Sequence, residues 1–406
     1  MLCLQKNNFP YLSAKKNALP LTLFILIIAI AGCSAAPFRV NPITRDCQEN
    51  AFIPGIPGAR YWGDEPPPGV ERWLESSAAD IKRDYPAIFG VPHNYLALSG
   101  GGANGAYGAG LLVGWSDRGD RPEFTMVTGI STGALIAPFV FLGPEYDPVL
   151  AHVYTGLSTK DLIERRGLFD IVRNDSLMST RPLRQLIARY INDQLIEELA
   201  NEHRRGRSLL ISTTNIDAAR PVTWNITRIA ASGAPQALDL IRDVILASAS
   251  IPGLFPPVSI DVESCGRRFQ EIHVDGGVTS QVFLYPAGLD WKRVTKKLNV
   301  PGKARLYLIR NSHTDPGFKS IDRRIIPIMA RSLSSLIRTQ GIGDIATIYF
   351  LTQRDGVEFN LAFIPENFNA QPKETFDKAY MKHLFKLGYD EAVSGYPWIT
   401  RSKPVD

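Results

Sequence analysis

The chain has 406 residues, of which 45% are hydrophobic and 21% charged, with a formal net charge of +5. This is ordinary globular usage, so disorder and collagen-like repeats are excluded as its main content. No apolar run reaches the roughly 18 residues of a spanning helix, which excludes a polytopic membrane protein.

Residues 1–32 contain Lys6, Lys15 and Lys16 and no acid, and an apolar run from Leu21 to Ile30 is broken only by Thr22. Such a run is too short to span a bilayer and suits the core of a signal peptide. It ends in Ile30-Ala31-Gly32-Cys33, small residues before a thiol. This resembles a bacterial lipobox. The resemblance implies that Cys33 becomes the acylated, palmitate-bearing N-terminus of the mature chain. An ordinary cleaved signal and an uncleaved anchor helix are the alternatives. Several acyl chains together anchor stably where one is marginal. Ser34 follows, and a residue other than Asp there implies an envelope protein of the outer membrane, facing the periplasm. Without residues 1–32 the chain has 374 residues and a charge of +2. A nucleic-acid partner therefore has no support. The densest basic patch, His203 to Arg207, follows a helical stretch, where cations are expected.

Of four cysteines, Cys3 is removed with the signal and Cys33 is acylated. Cys47 and Cys265 remain in an oxidising compartment. Either a disulfide tying the arm to the body or two buried thiols fits the sequence.

Residues 34–92 are rich in proline, including Pro66-Pro67-Pro68, and read as a tether and a surface arm, with one short helix over 71–86. From Tyr95 the pattern changes. Tyr95–Leu98 is a buried strand running into Ser99-Gly100-Gly101-Gly102, and a small-residue helix follows from Gly105 to about Trp115. Phe124–Val127 is a second strand, followed by Gly129-Ile130-Ser131-Thr132-Gly133 and a helix interrupted at Pro138. Repeated strand–turn–helix units predict an α/β fold with a mainly parallel sheet and helices on both faces.

Residues 181–200 have the apolar spacing of one amphipathic helix, with Pro182 in its first turn. Strands are predicted at 209–213 and 222–226, a helix at 239–247, an alternating strand at 269–274 and another strand at 305–309. Tyr349–Leu351 and Val357–Phe363 around Arg354-Asp355-Gly356 read as a hairpin. Phe376–Leu387 reads as a helix closed by Gly388.

Three strings could carry chemistry. Gly129-x-Ser131-x-Gly133 places a serine on a strand-to-helix turn, where glycines relieve crowding and the helix dipole faces a forming anion. Gly100-Gly101-Gly102-Ala103-Asn104-Gly105 brings backbone N–H groups close to a ligand, as an oxyanion hole requires. It also matches the dinucleotide fingerprint G-x-G-x-x-G, with Asp120 near the expected distance. Asp275-Gly276-Gly277 ends a strand, where α/β sheets place catalytic groups.

In this order, together with Val244 to Pro257, these strings resemble the patatin-like phospholipase family, over roughly Tyr95 to Leu308. The resemblance implies a three-layer patatin-like fold with a mainly parallel central sheet flanked by helices. It implies a phospholipase A or lysophospholipase type of lipid acyl hydrolase acting through an acyl-enzyme. Ser131 would be the nucleophile, Asp275 the general base, and Gly100, Gly101 and Gly102 the oxyanion hole. Gly105, Gly129, Gly133, Gly276 and Gly277 complete the motifs. The chain departs from the family at Asn104, where a basic residue is usual.

The expected organisation is a signal peptide at 1–32, the tether and arm at 33–92, a catalytic domain at 93–310 and a C-terminal extension at 311–406 packing on that domain. The substrate is a phospholipid or another acyl ester, reached from the membrane through the lipid anchor. No metal motif is present and no cofactor is expected. Two other readings stand beside this one: a non-catalytic envelope lipoprotein using the fold to bind, and a nucleotide-binding protein using Gly100–Gly105. Of the six histidines, His313 and His383 would fit a Ser…Asp…His order, and His273 lies on the face of Asp275. The dyad predicts activity that does not collapse through pH 6, whereas a histidine base predicts loss near 6.5. Trp224, Phe255 and Phe283 are candidate core or acyl-pocket residues.

Overall fold

The computed structural model describes residues 39–165, 176–314, 317, 318 and 320–401. The signal peptide and Cys33 lie outside the described residues.

Within the arm, β1 (Arg60–Trp62) joins the edge of the central sheet, so the arm contributes to the fold rather than only covering it. Residues 71–86 form two short helices, Val70–Glu75 and Ala78–Asp84, because Ser77 caps the second by accepting from the Asp80 N–H. The first units of the body are β2 (Asn94–Leu98), α1 (Gly105–Arg118), β3 (Met126–Gly129) and α2 (Thr132–Leu142). Pro138 does not interrupt α2, which runs through it at the cost of one backbone hydrogen bond. Next come α3 (Asp147–Gly156), α4 (Arg181–Tyr190), α5 (Asp193–Arg205), β4 (Ser208–Asn215) and β5 (Arg220–Asn225). The single helix expected at 181–200 is two. Asn192 is extended and caps α5 by accepting from the Leu195 N–H, so the chain turns between them.

After α6 (Ala237–Ser248), the hairpin β6 (Val258–Ser264) and β7 (Arg267–Asp275) leads to the Asp-Gly-Gly string. β8 (Arg305–Arg310), α7 (Ile325–Asp355), β9 (Glu358–Phe363) and α8 (Lys378–Val393) complete the body. The hairpin expected around Arg354–Gly356 is absent. Tyr349–Leu351 belongs to α7, Gly356 ends that helix in the left-handed region (φ 71°), and β9 pairs parallel with β8. Gly388 lies inside α8 rather than closing it, because it packs flush against α1: a Cβ there would come within 2.3 Å of the Tyr107 carbonyl oxygen.

The nine-stranded sheet runs β1-β5-β4-β3-β2-β8-β9, with β7 paired to β4 and β6. The five strands from β4 to β9 are parallel, and β1, β5, β6 and β7 are antiparallel additions. β2 shows why its residues are apolar throughout. Leu96 and Leu98 enter the core on one face of the sheet, while Tyr95 and Ala97 enter the core on the other. The result is three layers, helix–sheet–helix. Cys47 and Cys265 form a disulfide between the arm and the β6–β7 turn. No helix among the described residues is long and apolar enough to cross a membrane.

Candidate active site

Ser131 sits between β3 and α2 with φ 55° and ψ −123°. A side chain in this region costs about 1–3 kcal/mol and persists only where its surroundings enforce it. The enforcement is close packing of the flanking glycines. A Cβ on Gly129 would meet the Gly133 carbonyl oxygen at 2.6 Å, and one on Gly133 would meet the Leu98 carbonyl oxygen at 2.4 Å. The Ser131 N–H donates to Ser248 Oγ (3.0 Å), which donates in turn to the Ser212 carbonyl (2.7 Å). The turn is thus clamped from the end of α6 to the middle of β4.

Ser131 Oγ donates to Asp275 Oδ2 at 2.7 Å. The other carboxylate oxygen accepts from the Gly277 N–H at 2.7 Å. Burial pushes the Asp275 carboxyl up to about 6, with the Ser131 and Gly277 hydrogen bonds opposing that rise. This changes the pH expectation. A carboxylate titrating near 6 and an imidazole titrating near 6.5 give nearly the same profile, so a loss through pH 6 does not count against a carboxylate base. Placement separates them better: neither cavity lined by Ser131 includes a histidine. His273 is fully buried and both its ring nitrogens are engaged, Nδ1 with Thr213 Oγ1 (2.9 Å) and Nε2 with Glu271 Oε2 (3.0 Å). The His313 and His383 rings pack against Phe368.

The glycine loop faces Ser131, but its three donors differ. The Gly100 N–H already donates to the Gln281 carbonyl at 3.0 Å, so it is spent on positioning the loop. The Gly101 and Gly102 N–H groups precede the first intrahelical bond and have no acceptor among the described residues. The loop is seated on Asn311. A Cβ on Gly101 would fall 2.2 Å from the Asn311 carbonyl oxygen. Asn311 Nδ2 donates to the Ser99 carbonyl (3.0 Å), and Asn311 Oδ1 accepts from the Gly108 N–H (3.1 Å). Asn104 Oδ1 accepts from the Tyr380 hydroxyl at 2.7 Å, tying the loop to α8 where the expected cation is missing. Asp120 pairs with Arg118 at 3.3 Å, both substantially exposed.

Ser131 lies where two cavities meet. The inner one is apolar and is walled by α2, α3 and α4, with Leu135, Val153, Leu183 and Ile187 among its residues. Phe255 lines it too, whereas Trp224 is core, its indole N–H donating to Thr213 Oγ1. The outer cavity is mixed and is lined by Asp275, Gln281, Arg310 and residues of α7. No cluster able to hold a metal ion occurs among the described residues.

Residues 96–287 match the family model "Patatin-like phospholipase". This segment is a patatin-like phospholipase domain. It implies a hydrolase of lipid esters. The match starts within β2 and ends before β8, so the patatin-like segment takes in Ser131, Asp275 and the glycine loop but not Arg310, Asn311 or α7. Among solved structures the chain is similar to VipD from Legionella pneumophila, at 14% identity and a TM-score of 0.38. That alignment covers 75% of this chain and 66% of VipD, so the chain spans just under two thirds of that protein's length. No curated protein sequence matches the chain.

Ser248, Gln281, Arg310 and Asn311 escaped sequence reasoning as site residues. Ser248 had a signal, since it lies in the string Val244–Pro257 that resembles the family. The Asn311–Ser99 contact joins residues 212 positions apart and leaves no local trace.

Proposed function

We propose that the protein is a serine hydrolase of phospholipid or lysophospholipid acyl esters, with Ser131 as nucleophile and Asp275 as base. The observation that carries this is the 2.7 Å bond from a strained Ser131 to a buried Asp275 at the mouth of an apolar cavity. In the first half-reaction Ser131 Oγ attacks the ester carbonyl carbon and its proton passes to Asp275 Oδ2. The negative charge on the carbonyl oxygen is met by the Gly101 and Gly102 N–H groups and the N-terminus of α2. The C–O bond to the alcohol breaks, and the alkoxide takes the proton from Asp275. Water then attacks the acyl-enzyme and Asp275 takes the water's proton. The Ser131 Oγ–acyl bond breaks as Oγ takes that proton back from Asp275, releasing the fatty acid and restoring both groups.

The test is fatty-acid release from mixed phospholipid vesicles by the mature protein with Cys33 replaced, beside Ser131→Ala and Asp275→Asn. Release that disappears in both variants is expected. Undiminished release by folded Ser131→Ala would overturn the assignment, and no release from folded wild type would favour a binding role.

The same reading places the protein in the bacterial envelope, anchored at Cys33. A Cys47–Cys265 disulfide suits an oxidising compartment. Palmitate labelling that disappears in Cys33→Ala is the expected result, and an unlabelled full-length chain would refute the anchor.

A further inference from the structure

The first half of α7 exposes apolar side chains that a folded surface ordinarily hides. Ile325, Ile328, Met329, Leu333, Leu336 and Ile337 are each at least 41% exposed. At helical spacing they share one face of α7, while Arg331 and Arg338, seven residues apart, fall on the opposite side and Arg324 immediately precedes the helix. The second half of the same helix behaves normally, burying Ile345, Ile348 and Leu351 in the core. A contiguous apolar face backed by arginines is the pattern of a helix lying in a membrane interface.

We infer that the Ile325–Ile337 face of α7 docks on an anionic lipid surface and opens the Ser131 cavity toward it. Two observations select a bilayer over another protein. The face is continuous with the mouth of the site, since Leu333, Leu336 and Ile337 line the cavity that reaches Ser131. The charge is also complementary, since Arg323, Arg324, Arg331 and Arg338 outnumber Asp322 along residues 320–340. This rests on the lipid-ester reading only for its purpose, because docking is measured without turnover.

The experiment is vesicle co-sedimentation of the Cys33-replaced, Ser131→Ala protein with phosphatidylglycerol or phosphatidylcholine vesicles. Binding to the anionic vesicles, weakened at least tenfold in the double variant Ile328→Glu, Met329→Glu, is expected. Both residues are exposed, so the fold tolerates the change. Hydrolysis of a short soluble ester by the same pair in a Ser131 background should be unchanged, which separates docking from chemistry. Unaltered vesicle binding by the double variant would overturn the inference. So would a concentration-dependent dimer that this variant dissolves, because the occupant would then be a second copy.

A second observation independently concerns Arg310. Its side chain lines the outer cavity and the residue is 3% exposed, yet Nη1 has no hydrogen-bond partner. Nε donates to Ser312 Oγ (2.8 Å) and Nη2 to the Arg338 carbonyl (3.4 Å), both neutral acceptors. The nearby Asp344 is engaged elsewhere, accepting from the Gln281 N–H (2.6 Å) and Ser280 Oγ (3.2 Å). Asp344 thus acts on Arg310 only from a distance. A buried guanidinium with an unpaired N–H and no direct ion pair among the described residues is costly unless a ligand supplies the acceptor. We propose that Arg310 receives the phosphoryl group of the substrate's alcohol portion.

Resting on the acyl-ester reading, this is tested with a matched pair, a monoacylglycerol and the lysophosphatidic acid of the same chain, for wild type, Arg310→Gln and Arg310→Lys. A KM raised at least tenfold for the phosphate ester alone in Arg310→Gln, and partly restored in Arg310→Lys, is expected. Equal losses on both esters would overturn it. If wild type cleaves neither, protection against thermal unfolding by glycerol 3-phosphate and by inorganic phosphate decides the matter. Protection by glycerol 3-phosphate lost in Arg310→Gln supports the site. Protection by inorganic phosphate alone, or none, refutes it as a head-group site. A purely structural Arg310 would instead show a lowered unfolding temperature in Arg310→Gln without ligand.

Discussion

The two cavities that meet at Ser131 are built on different terms. The inner one is enclosed by α2, α3 and α4 and offers almost only hydrocarbon. The outer one mixes glycine-loop backbone, Gln281 and Arg310 with the exposed end of α7. Most of the inner wall falls inside the residues that match the family, whereas Arg310 and α7 fall outside. Ser131 lines both, with Gly102 and Ile251 beside it, and Asp275 reaches it from the outer side. On the proposed reading this is a division of labour: the family segment carries the chemistry and the acyl chain, and the C-terminal elements carry the contacts to head group and membrane.

The largest expected effect removes the shared point. Ser131→Ala and Asp275→Asn should each lower fatty-acid release by about 10³-fold or more on every substrate, measured by steady-state assay. A variant that silenced one substrate class and spared the other would break the comparison. Acidity should act the same way. Asp275 accepts a proton only when ionised, so release should fall about tenfold per pH unit below about 6, with the same profile for short soluble and long-chain esters.

Asp275→Asn carries a second signature. A carboxyl raised to about 6 binds its proton more tightly folded than unfolded, so ionising it costs stability as pH rises through that value. Asparagine avoids that cost, on the order of 3 kcal/mol at pH 7. Its unfolding temperature should exceed that of wild type at pH 7, and the gain should vanish by pH 4.

A smaller and one-sided effect is expected from Ile187→Trp in the inner wall. The preferred acyl chain should shorten, with kcat/KM falling about fourfold for each methylene displaced, while head-group preference stays unchanged. Altered head-group preference would mean that the cavities are not separable. Least visible in the assay is the disulfide. Cys47→Ser with Cys265→Ser should lower stability by about 2–5 kcal/mol in denaturant melts and leave both preferences intact.

The sequence makes the local chemistry legible because that chemistry needs local strings. A serine turn needs glycines beside it, and an aspartate at a strand end needs a tight turn after it. The parallel sheet is legible for a similar reason, since strands buried on both faces are apolar throughout, as Tyr95–Leu98 shows. What stays hidden depends on partners far along the chain. Tyr349–Leu351 has strand composition but sits in α7, because Ile345, Ile348 and Leu351 bury one face of that helix on the sheet. Gly388 looks like a stop signal and is instead a packing residue, a role set by the backbone of Tyr107 and Leu111 in α1. Among the glycine-loop donors, nothing in the string distinguishes Gly100, which Gln281 occupies, from its neighbours.

The position of β2 has a consequence for the order of assembly. Its two partners in the sheet are β3, which begins at Met126, and β8, which begins at Arg305. The glycine loop leaving β2 is seated on Asn311, one residue beyond β8. A nascent chain that has passed Asp275 therefore carries both Ser131 and Asp275 but not the support of the glycine loop that faces them. The loop is fixed only after the strand that flanks it has emerged, and long-range pairing of this kind is slow. Competence to cleave lipid is, on this topology, among the last properties the chain acquires.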